Sequence, residues 1–106
     1  MNIDGLQQIT FEVHEKVALV TLNRPDQMNT WTPVMSRDLS DAMYECDEND
    51  EIRAVIVTGA GRAFCAGADL MRPPGQLSEG VGRAVPYADV LTAIMDSPKP
   101  VIAAIN

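Results

Sequence analysis

The sequence predicts a layered α/β fold. Three observations carry that reading: short β-branched runs alternate with helical patterns, several of those runs are almost continuously apolar, and turn residues fall between them. The 106 residues are 46% hydrophobic and 22% charged, which is the composition of one small globular unit and not of a disordered or fibrous chain.

Residues 9–14 (ITFEVH) and 17–22 (VALVTL) read as two strands separated by Glu15 and Lys16. A two-residue break predicts a hairpin, although Glu-Lys lacks the Gly or Asn that tight turns favour. The second run is apolar enough to predict burial on both faces. Asn23-Arg24-Pro25-Asp26 ends it. Thr32-Pro33 opens a helix: the threonine can cap it, and the proline fits the first position, where its missing N–H costs nothing. Met35, Leu39, Ala42, Met43 and Cys46 then recur at three- and four-residue steps as one apolar face. Glu45, Asp47, Glu48, Asp50 and Glu51 crowd the end of this helix, where negative charge opposes the helix dipole. They read as a solvated turn, without the glycine and ligand spacing of a calcium loop.

Residues 54–58 (AVIVT) form a third strand, followed by Gly59-Ala60-Gly61-Arg62-Ala63-Phe64-Cys65-Ala66-Gly67-Ala68-Asp69-Leu70. Residues 72–83 read as a loop. Pro86 starts a second helix with Ala88, Leu91, Ile94 and Met95 expected inward, and Ser97-Pro98-Lys99-Pro100 stops it. Val101 to Ile105 form a fourth strand. A sheet that has just received an apolar strand needs further cover, so the chain reads as the front part of a larger protein.

Several function classes are disfavoured. No apolar run approaches the ~20 residues of a membrane helix. The N-terminus has no basic region followed by an apolar stretch, as a secretory signal would. A net charge of −7 argues against a general nucleic-acid or anionic-membrane surface. Cys46 and Cys65 make no disulfide framework, which favours a reduced, cytoplasmic setting. The single histidine, His14, excludes a His-rich metal site, and it alternates with Phe11 and Val13 as an exposed strand residue would.

The glycine-rich loop is the most unusual stretch. Gly59-x-Gly61 follows a buried strand, but a dinucleotide fingerprint needs a third glycine where this chain has Phe64. No Gly-Lys-Ser/Thr follows, so a Walker-type phosphate loop also fails. Small residues at 66, 67 and 68 leave the backbone open to a ligand, and Gly67 can take a positive φ that turns N–H groups outward. Such groups can hold a carbonyl oxygen that gains charge in a transition state. A tight strand-to-helix connection without a ligand fits the composition equally well.

VALVTLNRPDQMNTW (17–31), the helix and acidic turn at 33–51, IRAVIVTGAGRAFCAGADL (52–70) and SPKPVIAAIN (97–106) together resemble the N-terminal part of the enoyl-CoA hydratase/isomerase (crotonase) family. Residues 71–96 carry no recognisable motif. The resemblance implies a crotonase-like ββα spiral, with residues 1–106 as the N-terminal part of a single domain. It implies an acyl-CoA thioester as substrate, with coenzyme A arriving as part of it and no separate cofactor or metal. It implies that the Ala68 N–H donates to the thioester carbonyl as one half of an oxyanion hole. The second donor, and the carboxylates that move protons for hydration or a double-bond shift, would lie beyond Asn106.

By the same resemblance, the backbone of Ala66, Gly67, Ala68, Asp69 and Leu70 lines the thioester arm, and Asn29, Thr30 and Trp31 form a wall near the adenine and pantetheine. The Thr30-Trp31 pair departs from the small-Leu pair usual there. Arg24 and Arg62 are expected near the coenzyme A phosphates or as plain surface charges. Asp69 is expected to be structural and Cys65 to pack. Complete members resemble trimers or pairs of trimers. A crotonase-like half that binds coenzyme A without catalysis, and a Rossmann-type oxidoreductase fragment, are the alternative readings.

Overall fold

The computed structural model describes residues 3–68 and 87–106. Its strands are β1 (Ile9–His14), β2 (Val17–Leu22), β3 (Ala54–Gly59) and β4 (Val101–Ala104), and its helices are α1 (Pro33–Glu48) and α2 (Tyr87–Asp96). The sheet order is β1-β2-β3-β4. β1 and β2 pair antiparallel, with His14 opposite Val17. β2–β3 and β3–β4 pair parallel, so each later strand returns to the sheet after a helical crossover.

The hairpin forms on the unfavourable residues that the sequence supplies. Glu15 and Lys16 both take positive φ, 49° and 71°, as a two-residue turn matching the strand twist requires. His14 is exposed as expected and faces Glu12, with Nε2 2.8 Å from the carboxylate.

Burial along β2 alternates: Ala18, Val20 and Leu22 are buried, while Val17, Leu19 and Thr21 are only half-buried. This corrects the expectation of burial on both faces. Both described helices contribute to a core on one face of the sheet, where Met35, Leu39, Ala42, Met43 and Cys46 of α1 meet Val55 and Val57 of β3 and Val90 of α2. α2 is also turned from its expected orientation. Val90 is buried and Ile94 half-buried, whereas Ala88, Leu91 and Met95 are exposed. The helix is apolar around most of its circumference, so its spacing alone does not say which stripe faces the sheet. β4 ends at Ala104, one residue before the expected boundary.

α1 begins as predicted. The Thr32 side chain accepts from Met35 N–H at 3.1 Å, and Pro33 occupies the first turn. Its acidic end is compensated by Lys99, whose Nζ donates to the carbonyls of Cys46 and Asn49. A cation at the last carbonyls opposes the unfavourable charge there. Asp38 is fully buried and accepts the N–H groups of Gln7 and Gln8 at 2.9 and 2.8 Å. That carboxylate ties the start of the chain to α1. Among the described residues, no helix is long and apolar enough to cross a membrane.

Cys46 lies in the core, where burial first and the Asp47 charge second push its thiol up to about 11. As pH rises above the ordinary value of 9.0 the unfolded thiol ionises first, so stability is lost between there and about 11. Thermal melts across that window are expected to fall more steeply for the natural chain than for Cys46→Ala. Separately, Glu15→Asn with Lys16→Gly is expected to stabilise the fold by about 0.5–1 kcal/mol by relieving positive φ, read as a rise in Tm of a few degrees.

Candidate functional site

The site is built where the segment after β2 meets the loop after β3. Pro25–Gln27 form a single 3₁₀ turn, closed by Met28 in the left-handed region. Met28 and Asn29 both have φ of 54°, so the chain reverses sharply into Thr30 and Trp31. Asn tolerates that conformation better than most residues. Its side chain holds it there.

Asn29 has no solvent exposure. Its Oδ1 accepts the Arg24 N–H at 2.6 Å, and its Nδ2 donates to the carbonyls of Ala60 at 2.9 Å and Ala63 at 2.7 Å. One amide therefore closes its own turn and fastens the glycine-rich loop. Arg24 reinforces the turn: its Nη1 donates to Thr30 O at 2.6 Å and to Thr30 Oγ1 at 2.9 Å.

The loop folds back on its own start. A Cβ at Gly59 would lie 2.5 Å from Ala63 O and 2.7 Å from Phe64 O, so only glycine admits this approach. Beyond it the loop runs alongside the first segment. Ala66 N–H donates to Met28 O at 3.1 Å, and Trp31 N–H donates to Gly67 O at 2.7 Å. Trp31 and Ala68 form an isolated parallel bridge.

Gly67 has the positive φ anticipated from the sequence, 105°. Ala66, Gly67 and Ala68 are all exposed. Among the described residues, Ala68 N–H has no hydrogen-bond acceptor. A positioned, exposed backbone donor can bind an oxygen that accumulates negative charge.

The structure thus brings Thr30 and Trp31 beside Gly67 and Ala68. It places Asn29 beneath them with its side chain engaged inside the protein. Arg62 is exposed near the loop tip, next to Gly61, whose carbonyl accepts from Asn106 Nδ2 at 2.8 Å. Asp69, Leu70 and Met71 lie outside the described residues. Phe64 and Cys65 turn toward an apolar cavity of about 240 Å³, bounded also by Trp31, Leu22, Leu39, Val57, Val101 and Ala103 and by Val90, Leu91 and Ile94 of α2. Gly59, weighed from the sequence as part of a dinucleotide fingerprint, instead admits the close return of the loop. Two further contributors carry no local signal in the sequence: Ser36 accepts from Trp31 Nε1 at 2.7 Å, and Asn106 Nδ2 donates to Gly61 O.

Asn29→Ala would leave the Arg24 N–H and the Ala60 and Ala63 carbonyls, all part-buried, without this partner, each at a cost of up to about 1–3 kcal/mol. Denaturant melts are expected to show a loss of at least ~2 kcal/mol. Asn29→Asp keeps the acceptor for Arg24 but not the donors to the loop. Hydrogen exchange is therefore expected to accelerate at Ala66 in the Asp variant. Unchanged exchange there would mean that Asn29 does not hold the loop.

Comparison with known proteins adds an independent line. Residues 12–106 match the sequence model of the family described as enoyl-CoA hydratase/isomerase. A probable enoyl-CoA hydratase of Mycobacterium tuberculosis is 40% identical over 103 residues, covering 92% of this chain and 39% of its own length. The 1,2-epoxyphenylacetyl-CoA isomerase of Escherichia coli is 35% identical, covering 95% of this chain and 40% of its own. Among solved structures, an enoyl-CoA hydratase/isomerase from Mycobacterium paratuberculosis superposes with a TM-score of 0.75 at 34% identity, over 96% of this chain and 41% of the other. An enoyl-CoA hydratase from Mycobacterium marinum gives a TM-score of 0.82 at 24% identity, over 93% and 48%. The chain spans about two fifths of the length of the curated relatives it matches.

Proposed function

The chain belongs to the enoyl-CoA hydratase/isomerase family and has its crotonase fold, and from that membership we propose that it binds an acyl-CoA thioester with the carbonyl oxygen against Ala68 N–H. The single observation that carries this reading is the exposed Ala68 amide, without an acceptor among the described residues and fixed by the strand bridge to Trp31. The relatives named above include hydratases and an isomerase acting on CoA esters, which supports the substrate class.

In this reading, residues 1–106 are the N-terminal part of one crotonase-like domain. The backbone from Ala66 to Ala68 runs beside the thioester arm, with Thr30 and Trp31 opposite it. Asn29 acts by holding the wall in place. Arg62 is free to move toward the coenzyme A phosphates from its exposed position. A second N–H donor and the carboxylates belong to sequence following Asn106, and the complete protein works in the cytoplasm as a trimer or a pair of trimers.

The donor's contribution is electrostatic. As water adds to the β-carbon, or as the double bond shifts, the thioester carbonyl becomes enolate-like. A fixed N–H stabilises that oxygen more than the neutral carbonyl. Carboxylates then give and take the protons. Among the described residues, apolar side chains line the cavity beside the loop. The alternative reading of the 106 residues taken alone is that they bind acyl-CoA without turning it over.

Replacing Ala68 by lactic acid exchanges its N–H for an ester oxygen and leaves the side chain intact. In the chain extended to the length of its relatives, hydration of crotonyl-CoA is expected to fall ~10²–10³-fold. Unchanged turnover would remove Ala68 from the mechanism. The 106-residue chain alone is expected to hydrate crotonyl-CoA no faster than buffer.

A further inference from the structure

The indole of Trp31 is held at both ends. Its backbone N–H donates to Gly67 O at 2.7 Å and its residue is bridged to Ala68, so the root of the side chain lies one strand spacing, about 5 Å, from the Ala68 backbone. Its Nε1 donates to Ser36 Oγ at 2.7 Å, and Ser36 on α1 is only 2% exposed. A tryptophan side chain has two torsions, and a buried partner at the far end restricts both.

The indole is therefore a fixed wall of the apolar cavity, which Phe64 and Cys65 also line from the loop that carries Ala68. At about 240 Å³ the cavity is smaller than the roughly 300–1,000 Å³ that accommodates a drug-sized ligand. It suits a short apolar group.

We propose that Trp31, pinned by Ser36, sets the length of acyl group that the cavity admits, favouring short acyl chains over long ones. This rests on the acyl-CoA reading of the site. Trp31 acts here as a specificity-determining residue. Ser36 is a positioning residue that acts through the indole.

The test is calorimetric titration of the 106-residue chain with coenzyme A and with its butanoyl, octanoyl and dodecanoyl thioesters. The natural chain is expected to bind butanoyl-CoA more tightly than dodecanoyl-CoA. Trp31→Leu is expected to raise the affinity for dodecanoyl-CoA relative to butanoyl-CoA at least ~10-fold. Ser36→Ala keeps the indole but frees it, and is expected to move the preference part of the way. Trp31→Phe serves the same purpose if the Leu variant fails to fold by circular dichroism. An equal change for all three thioesters, or none, overturns the proposal while the acyl-CoA reading stands. If no thioester binds the natural chain better than coenzyme A does, the acyl-CoA reading fails and the proposal falls with it.

Discussion

The site depends on one buried amide. Asn29 bonds to Arg24 within its own turn and to Ala60 and Ala63 across the loop after β3. These segments are far apart in sequence, and each takes a conformation it would not hold alone. Met28 and Asn29 sit at positive φ, and the loop crosses closely over Gly59. A fully satisfied buried amide compensates for that strain, because every alternative conformation would leave its polar groups unpaired away from water. The exposed end of the loop, Ala66 to Ala68, is thereby fixed without side chains of its own. This is how a loop of alanines and glycine can present a backbone N–H with little freedom.

The sheet supplies the frame for this clamp. β2 and β3 run parallel with Leu22 opposite Gly59, so both segments leave the same end of the sheet together. Ala60 N–H continues the pairing to Leu22 O at 2.8 Å. α1 starts directly after Trp31, and its buried cap on Thr32 sets where the indole is rooted. Packing of α1 on the sheet, the N-terminal tether at Asp38 and the Lys99 contacts at its far end all hold the same helix. Ser36, which receives the indole N–H, is one turn inside that helix. Fold stability and site geometry share these residues, and a change in α1 reaches the cavity through Trp31 and Leu39.

Much of this was legible in the sequence, and what was not has a physical reason. The β-branched runs, the Thr32-Pro33 start and the apolar stripe of α1 are local signals, and each element forms where they place it. The positive φ of Gly67 is one that glycine, lacking a Cβ, takes without strain, and the sequence allowed for it on that ground. The family resemblance singled out Ala68, which composition alone could not. The sequence misled where an element is apolar on several sides: β2 read as doubly buried and α2 was turned toward the wrong stripe. It was silent on long-range polar contacts. Asp38 looks like any polar helix residue until the segment at Gln7 and Gln8 folds over it, and nothing near Ser36 announces an indole.

The account stands or falls on the Ala68 amide as a thioester-carbonyl donor. The most direct measurement is the ¹H–¹⁵N spectrum of the chain during titration with butanoyl-CoA, with coenzyme A alone as the reference. A donor role predicts that the Ala68 amide proton moves downfield with the thioester and far less with coenzyme A, and that without ligand it exchanges readily with solvent. An Ala68 amide already protected from exchange, with a resonance that ignores the thioester while others shift, would contradict it.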